Sequence, residues 1–466
     1  MQVQDTLTRL DINITGIQHE LITIPSILSF CNNLTDLVFC SKAEPLDMNL
    51  KNFTKQIKHY PSLVNLELIS FHINGNDIVP IIQRCQQLRR LVLSGCDSSV
   101  LEALVRTSTP NLELFSYNDG IDGSPLPMLQ EKKATANNDS YNKTEYQQQE
   151  HQNQQGLRVL YTSYGETSVR PENLIPLIYK NRKTLENVRA CMSHITNTQL
   201  EYLYEKYPDF KLENIKHLST WLSPGIQQFM LRKVIQNSNT LSTLVAVGDY
   251  NINLLLKALI NRAPLLGFNI SHVYDSTNDV TQLLIQLFGQ YAKYSKSDRP
   301  DASLNWVKLR YCNQVTNDVL KKLSGIKTLH DIHLGGLNHI SNDALLQLIN
   351  KLGNQITHIF LHDMNLVNDD IIIALGDLDN LLLVKLEILN NVTDKGARAL
   401  VDNKKRKLRR LTTLEITECP LISQECISYA QKNVKTVRYN SPISEYYVTK
   451  AKDTHYVSRS FWYDRL

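Results

Sequence analysis

The sequence predicts an α/β solenoid, with a parallel β-sheet on a concave face, helices on a convex face and the units curved into a horseshoe. Three observations predict it. A short phrase with apolar residues at positions 0, 3 and 5 recurs along the chain. A polar turn and an amphipathic stretch follow the copies, as in Asn317–Leu323 and Asn342–Ile349. The clearest copies stand 23 to 30 residues apart, near the period of roughly 20–29 at which stacked repeats alternate one strand with one helix.

The clearest copies run from Leu304 to Tyr439. They read Leu304-Asn-Trp-Val307-Lys-Leu309, Leu329-His-Asp-Ile332-His-Leu334, Ile356-Thr-His-Ile359-Phe-Leu361, Leu381-Leu-Leu-Val384-Lys-Leu386, Leu411-Thr-Thr-Leu414-Glu-Ile416 and Val434-Lys-Thr-Val437-Arg-Tyr439. Earlier copies start at Leu7, Leu34, Leu63, Leu88 and Leu112, and weaker ones at Leu157, Leu185, Leu212, Leu241 and Leu265. The total is about sixteen units.

Positions 3 and 5 share one side of a strand, so both are expected to point inward. The helices should start at Thr or Ser followed by Asn or Asp, as in Val315-Thr-Asn-Asp, Ile340-Ser-Asn-Asp, Val392-Thr-Asp and Ile195-Thr-Asn. Such short oxygen-bearing side chains accept from the free amides of a first helical turn. One unit cannot bury its own apolar face, so the units must stack. These repeats are called leucine-rich repeats.

The repeats span residues 1–440. Residues 119–156, with the run Gln147-Gln-Gln-Glu-His-Gln-Asn-Gln-Gln155, are expected as a disordered insertion, since they hold too little apolar surface to order themselves. Residues 275–303 are expected as a second insertion, carrying an apolar helix from about Val280 to Tyr291 and a polar loop. Residues 441–466 are aromatic and do not repeat; they are expected to cap the open end of the solenoid.

The bulk properties exclude several classes. Across 466 residues, 42% are hydrophobic and 21% charged, as in a folded globular chain. A formal charge of +4 is small for this length and does not argue for a nucleic-acid surface, which would need a clustered basic face. The run Lys404-Lys-Arg-Lys-Leu-Arg-Arg410 reads as a solvated helix end, with a nuclear signal or a phosphate-binding patch as the alternatives. No apolar run reaches the roughly 18 residues of a membrane span, and Met1–Leu10 does not resemble a secretion signal. Eight cysteines form no Cys-x-x-Cys pair. Those beside the strands are expected as small buried hydrophobes in a reducing compartment, cytoplasm or nucleus.

One phrase carries a family resemblance: strand, Cys, two residues, Val or Ile, Thr or Ser, then helix. It stands as Leu309-Arg-Tyr-Cys312-Asn-Gln-Val-Thr-Asn-Asp318 and Ile416-Thr-Glu-Cys419-Pro-Leu-Ile-Ser423, with its opening again at Leu93-Ser-Gly-Cys96. This resembles the cysteine-containing repeat of fungal-looking F-box/leucine-rich-repeat proteins, within the ribonuclease-inhibitor-like superfamily. The resemblance covers most of the chain and is strongest from Leu304 to Tyr439. It implies a substrate-recognition subunit of a cullin-RING ubiquitin ligase, in which an upstream F-box binds a Skp adaptor and the repeats bind the substrate. No F-box-like stretch stands before Leu7. A small-GTPase activator of the same superfamily and a free interaction scaffold are the alternatives.

Aligning the strands places equivalent positions side by side, about 4.8 Å apart. At position 4 the outward row reads Lys308, His333, Phe360, Lys385, Glu415, Arg438. At position 2 it reads Trp306, Asp331, His358, Leu383, and at position 6 Arg310, Gly335, His362, Glu387. Trp306, His333, His358, Phe360 and His362 are therefore expected as one exposed aromatic and imidazole patch flanked by charge, the partner-binding site. His358 and His362 should stand about 13 Å apart on one strand, which argues against a metal. No cofactor is implied, and no nucleophile elbow, zinc-protease motif, phosphate loop or carboxylate pair argues for an enzyme.

Overall fold

The computed structural model describes residues 6–14, 24–41, 46–47, 60, 62–118, 155–162, 169–192, 196–208, 210–221, 234–248, 252–260, 262–273, 278–296, 303–402 and 411–440. Residues 119–154, the basic run at 404–410 and the tail from 441 lie outside these, so their expected roles rest on sequence. The chain forms two compact units that divide between His217 and Leu218.

The first unit carries β1 (Arg9–Ile14), α1 (Ile24–Phe30), β2 (Asp36–Ser41), β3 (Leu46–Asp47), β4 (Asn65–Ile69), β5 (Phe71–His72), α2 (Gly75–Arg84), β6 (Arg90–Ser94), α3 (Ser99–Arg106), β7 (Leu114–Asn118), β8 (Val159–Thr162), α4 (Pro171–Lys180), β9 (Asn187–Cys191) and α5 (Asn197–Lys206). β1, β2, β4, β6, β7, β8 and β9 pair side by side, all parallel and in chain order. β3 and β5 form a separate short pair. The division falls within β10 (His217–Trp221).

The second unit carries β11 (Thr243–Val247), α6 (Ile252–Ile260), β12 (Gly267–Val273), α7 (Asn278–Tyr294), β13 (Trp306–Cys312), α8 (Asn317–Leu323), β14 (Asp331–Gly335), α9 (Asn342–Leu352), β15 (His358–His362), α10 (Asp369–Gly376), β16 (Leu383–Glu387), α11 (Asp394–Val401), β17 (Thr413–Thr417), α12 (Gln424–Asn433) and β18 (Thr436–Asn440). Its eight strands also pair parallel and in chain order. The fold is thus an α/β leucine-rich-repeat solenoid in each unit.

Each predicted copy owns one strand of these ladders, opening at position 2. One copy is displaced. The weak copy expected at Leu212 starts at Ile215, because the amides of Lys216 and His217 both donate to the Glu186 carbonyl and so set His217 at position 2. Leu212 and Ile215 are both fully buried and three residues apart, so the apolar pattern alone reads equally well from either.

Positions 3 and 5 fill the core between sheet and helices. Phe268, Ile270, Val307, Leu309, Ile332, Leu334, Ile359, Leu361, Val384 and Leu386 are at most 1% exposed. Burying each such side chain is worth about 1.5–3 kcal/mol, the main driving force for stacking. On β18, which pairs only with β17 among the described residues, Val437 and Tyr439 stay half-buried.

At position 7, at or just past the end of the strand, the backbone passes through a left-handed residue. Ser70, Gly95, Gly248, His272, Tyr311, Gly336, Asp363, Ile388 and Glu418 all take positive φ there. The following side chain turns into the core: Phe71, Cys96, Val273, Cys312, Leu337, Met364, Leu389 and Cys419 are each at most 2% exposed. The cysteines of the family-like phrase therefore share a slot with leucine, methionine, valine and phenylalanine. All eight cysteines are free thiols, and burial pushes Cys312 up to about 12.

The expected caps are present at Ser341, Thr393 and Thr196, whose side chains accept from Ala344, Lys395 and Gln199. Thr316 stands at its cap position but its side chain takes no such bond. The next residue is used instead: Asn317 Oδ1 accepts from the Ser341 amide of the following repeat, 2.8 Å away. Asp369 likewise accepts from the Thr393 amide and hydroxyl, and Asp394 from those of Ser423. The turn residues thus tie repeat to repeat as well as capping helices.

The stretch expected as a second insertion holds this repeat's own helix. α7 packs beside α6 and α8, with Val280, Leu284, Leu287, Phe288 and Tyr291 at most 1% exposed. The Tyr291 hydroxyl accepts from the Leu265 amide at 3.3 Å.

Candidate sheet-face site

The rows read from the sequence are the rows in the structure. Lys308 pairs with His333, His333 with Phe360, Phe360 with Lys385, Lys385 with Glu415 and Glu415 with Arg438. Trp306, Asp331, His358 and Leu383 align at position 2, and Arg310, Gly335, His362 and Glu387 at position 6. These side chains lie on the sheet face away from the helices.

The expected exposure is wrong for the centre of the patch. His333 is 2% exposed, Phe360 3%, Asp331 4%, His362 5% and Lys385 8%. Trp306, Lys308, Arg310, His358 and Glu387 are half-buried. The reason is the register itself. Large side chains set one strand apart lean on one another, and each covers its neighbour. His333 and Phe360 rings lie 5.2 Å apart, and Phe360 stacks on His362 at 6.1 Å and 5°. Lys385 Nζ sits 4.7 Å from the Phe360 centroid, on the ring's negative face.

Trp306 owes its position to a glycine across the strand pair. A Cβ on Gly267 would lie 2.1 Å from the indole Cε2, so the ring occupies the space that a side chain would need. At the other end of β13, Tyr311 takes φ +51° and its hydroxyl meets His362 Nε2 at 2.7 Å. Gly336 makes this possible, since a Cβ there would lie 2.2 Å from Tyr311 Cδ1. The His272 ring lies 5.0 Å from the same tyrosine. His272, Tyr311, Gly267 and Gly336 belong to the site but did not stand out in the sequence. The signal was there at position 7, at or just past the end of each strand, which carries His272, Tyr311 and Gly336 in successive copies.

Charge on the face is largely matched internally. His333 Nε2 lies 3.3 Å from Asp331 Oδ1. Lys385 Nζ lies 3.3 Å from Glu387 and 4.0 Å from Glu415, and Arg438 Nη1 is 2.6 Å from Glu415. His362 Nδ1 faces Glu387 at 3.5 Å. Burial pushes His333 down to about 4 despite Asp331, so its imidazole is neutral at pH 7. Burial alone would raise Glu387, but hydrogen bonds and charge from His362 and Lys385 outweigh it and hold the carboxyl at about 2. Burial, with the like charges of Arg310 and Lys385, pushes Lys308 down to about 7. Among the described residues no group of three or more His, Cys, Asp or Glu is placed to hold a metal ion, and no helix is long and apolar enough to cross a membrane.

No family model matches the chain, and no curated protein matches it. Among the solved structures similar to it in arrangement are the following two. One is a complex of Rad7 and Elc1 from yeast, at 14% identity and TM-score 0.47, covering 84% of this chain and 78% of that one. The other is an internalin from Listeria monocytogenes, at 14% identity and TM-score 0.36, covering 94% and 88%. At these values neither carries an argument about function, and the fold assignment stands on the strand ladders.

Proposed function

We propose that this chain is a protein-recognition scaffold, and that the sheet face of the second unit grips a partner polypeptide. The observation that carries the reading is the unbroken set of in-register rows at positions 2, 4 and 6. They present Trp306, Lys308, Arg310, His358 and Glu387 half-buried above a packed floor of His333, Phe360, His362 and Lys385. An aromatic and an arginine held rigidly beside matched charges are the composition of interface anchors. In the finer reading, suggested by the cysteine-containing phrase, the partner is a substrate delivered to a cullin-RING ubiquitin ligase. The test is co-purification of the tagged full chain. Skp adaptor and cullin recovered together support the ligase reading, a small GTPase supports an activator, and a single other protein supports a free scaffold. In each case the Trp306→Ala chain, with an unchanged thermal midpoint, must lose the polypeptide held by the sheet face, while any Skp adaptor and cullin are retained. Equal recovery of that polypeptide by both chains would overturn the site.

A further inference from the structure

We propose that Arg310 is the anchor for a carboxylate side chain of an acidic segment in the bound partner. This rests on the scaffold reading above and adds the chemistry of what is bound.

The argument begins with charge accounting on the sheet face. Each carboxylate there already has a cation or imidazole within 4.0 Å: Asp331 has His333, Glu387 has Lys385 and His362, and Glu415 has Lys385 and Arg438. Arg310 has none among the described residues. Its Nε is sealed from solvent without a hydrogen-bond partner in the structure. The Arg310 side chain meets the Tyr311 hydroxyl but no carboxylate, so the charge of this guanidinium and its Nε donor are left to be matched from outside. A buried cationic donor left without an acceptor is costly, and a carboxylate accepting from it removes that cost.

The group is also held ready. The guanidinium lies 5.7 Å from the Tyr311 ring centroid and 5.9 Å from that of Phe360. Below it, Gly335 offers no side chain. A Cβ there would stand 3.3 Å from Arg310 Cγ and 3.2 Å from His362 Cδ2, so glycine lets both lean across β14. Arginine held between rings keeps its planar fork oriented, and a fork matches the two oxygens of a carboxylate. The Tyr311 side chain is within hydrogen-bond reach of both Arg310 and Asp363, and no ion pair within 4.0 Å joins Arg310 to Asp363 among the described residues. Charge complementarity thus selects an acidic segment over an apolar or basic one.

The experiment uses the full chain and fluorescein-labelled hexaglutamate, read by fluorescence anisotropy at about 0.15 M salt. Hexalysine and a phosphoserine hexapeptide serve as comparison probes. Wild type should bind hexaglutamate saturably and ignore hexalysine. Arg310→Gln should weaken hexaglutamate at least about tenfold, the loss expected for a hydrogen bond to a charged group. Arg310→Lys should fall between, since it keeps charge but loses the fork. Arg106→Gln, at an exposed ion pair with Glu102 in the first unit, should change nothing. Equal affinity of wild type and Arg310→Gln, or no saturable binding by wild type, overturns the proposal. Tight binding of the phosphoserine peptide alone also overturns it, in favour of a phosphate site. If Arg310→Gln leaves hexaglutamate unaffected while Trp306→Ala still loses the co-purified partner, the carboxylate anchor falls and the scaffold reading stands.

Discussion

Gly336→Ala should cost far more than a methyl group at a turn ordinarily would. Gly336 takes φ +58°, and forcing an L-residue there costs about 1–2 kcal/mol. Its Cβ would also fall 2.2 Å from Tyr311 Cδ1 and 3.0 Å from Cγ, too close for the ring to stay. Moving the ring breaks the 2.7 Å bond to His362, a further loss of about 1 kcal/mol. Urea unfolding followed by circular dichroism should therefore show a loss of about 2–3 kcal/mol, the sum of those two terms. The decisive comparison is the same substitution in a Tyr311→Ala background. With no ring to displace, Gly336→Ala should then cost only the backbone share, about 1–2 kcal/mol. An equal cost in both backgrounds would refute the claim that the glycine exists to seat Tyr311 against His362.

Other predictions follow from the same geometry. Phe360→Ala, which empties the space between His333, His362 and Lys385, should destabilise the fold by roughly 3 kcal/mol in urea, while Phe360→Leu should cost about 1. Gly267→Val should displace the Trp306 indole, seen as a shift in its fluorescence maximum without loss of β-sheet signal. Asp369→Ala removes acceptors for the Thr393 amide and hydroxyl and the Gly396 amide and should cost about 1–3 kcal/mol, with Asp369→Asn milder. Acid should destabilise the protein in two windows. His333 is held at about 4, below its unfolded value of about 6.5, so its contribution is complete above that value and lost as pH falls towards 4. Glu387, held at about 2, contributes above about 4.3 and loses that contribution as pH falls towards 2. Burial holds His217 and His272 down as well, so they act in the upper window with the same sign. His333→Gln should flatten the upper window relative to wild type and leave the lower one.

The apolar period made the repeats legible, because positions 0, 3 and 5 answer to one burial requirement in every copy. Register followed from it, so the rows through Lys308, His333 and Phe360 could be read before any coordinates. Exposure could not. Whether Phe360 stands in water or under its neighbours depends on how Lys385, His333 and His362 lean, and no linear pattern records that. The left-handed turn was hidden for a related reason. Tyr311, Asp363, Ile388 and Glu418 carry no common chemistry, and the strain at position 7 is imposed by the inward turn of the next residue. The helix over about Val280–Tyr291 was legible as α7, but that it packs between α6 and α8 as its repeat's own helix is a matter of contacts that no linear pattern records. Apolar pattern also failed at Leu212, where two equally buried phases compete.

The central claim is that the sheet face of the second unit, and not its helix side, receives a partner polypeptide. A photoreactive benzophenone amino acid placed at Trp306, at His358 and, on α6, at the exposed Leu254 tests it directly. The account predicts that positions 306 and 358 cross-link to the same protein, that untagged wild-type chain competes for it, and that position 254 cross-links to nothing specific. Specific capture from position 254, with none from 306 or 358, would contradict it.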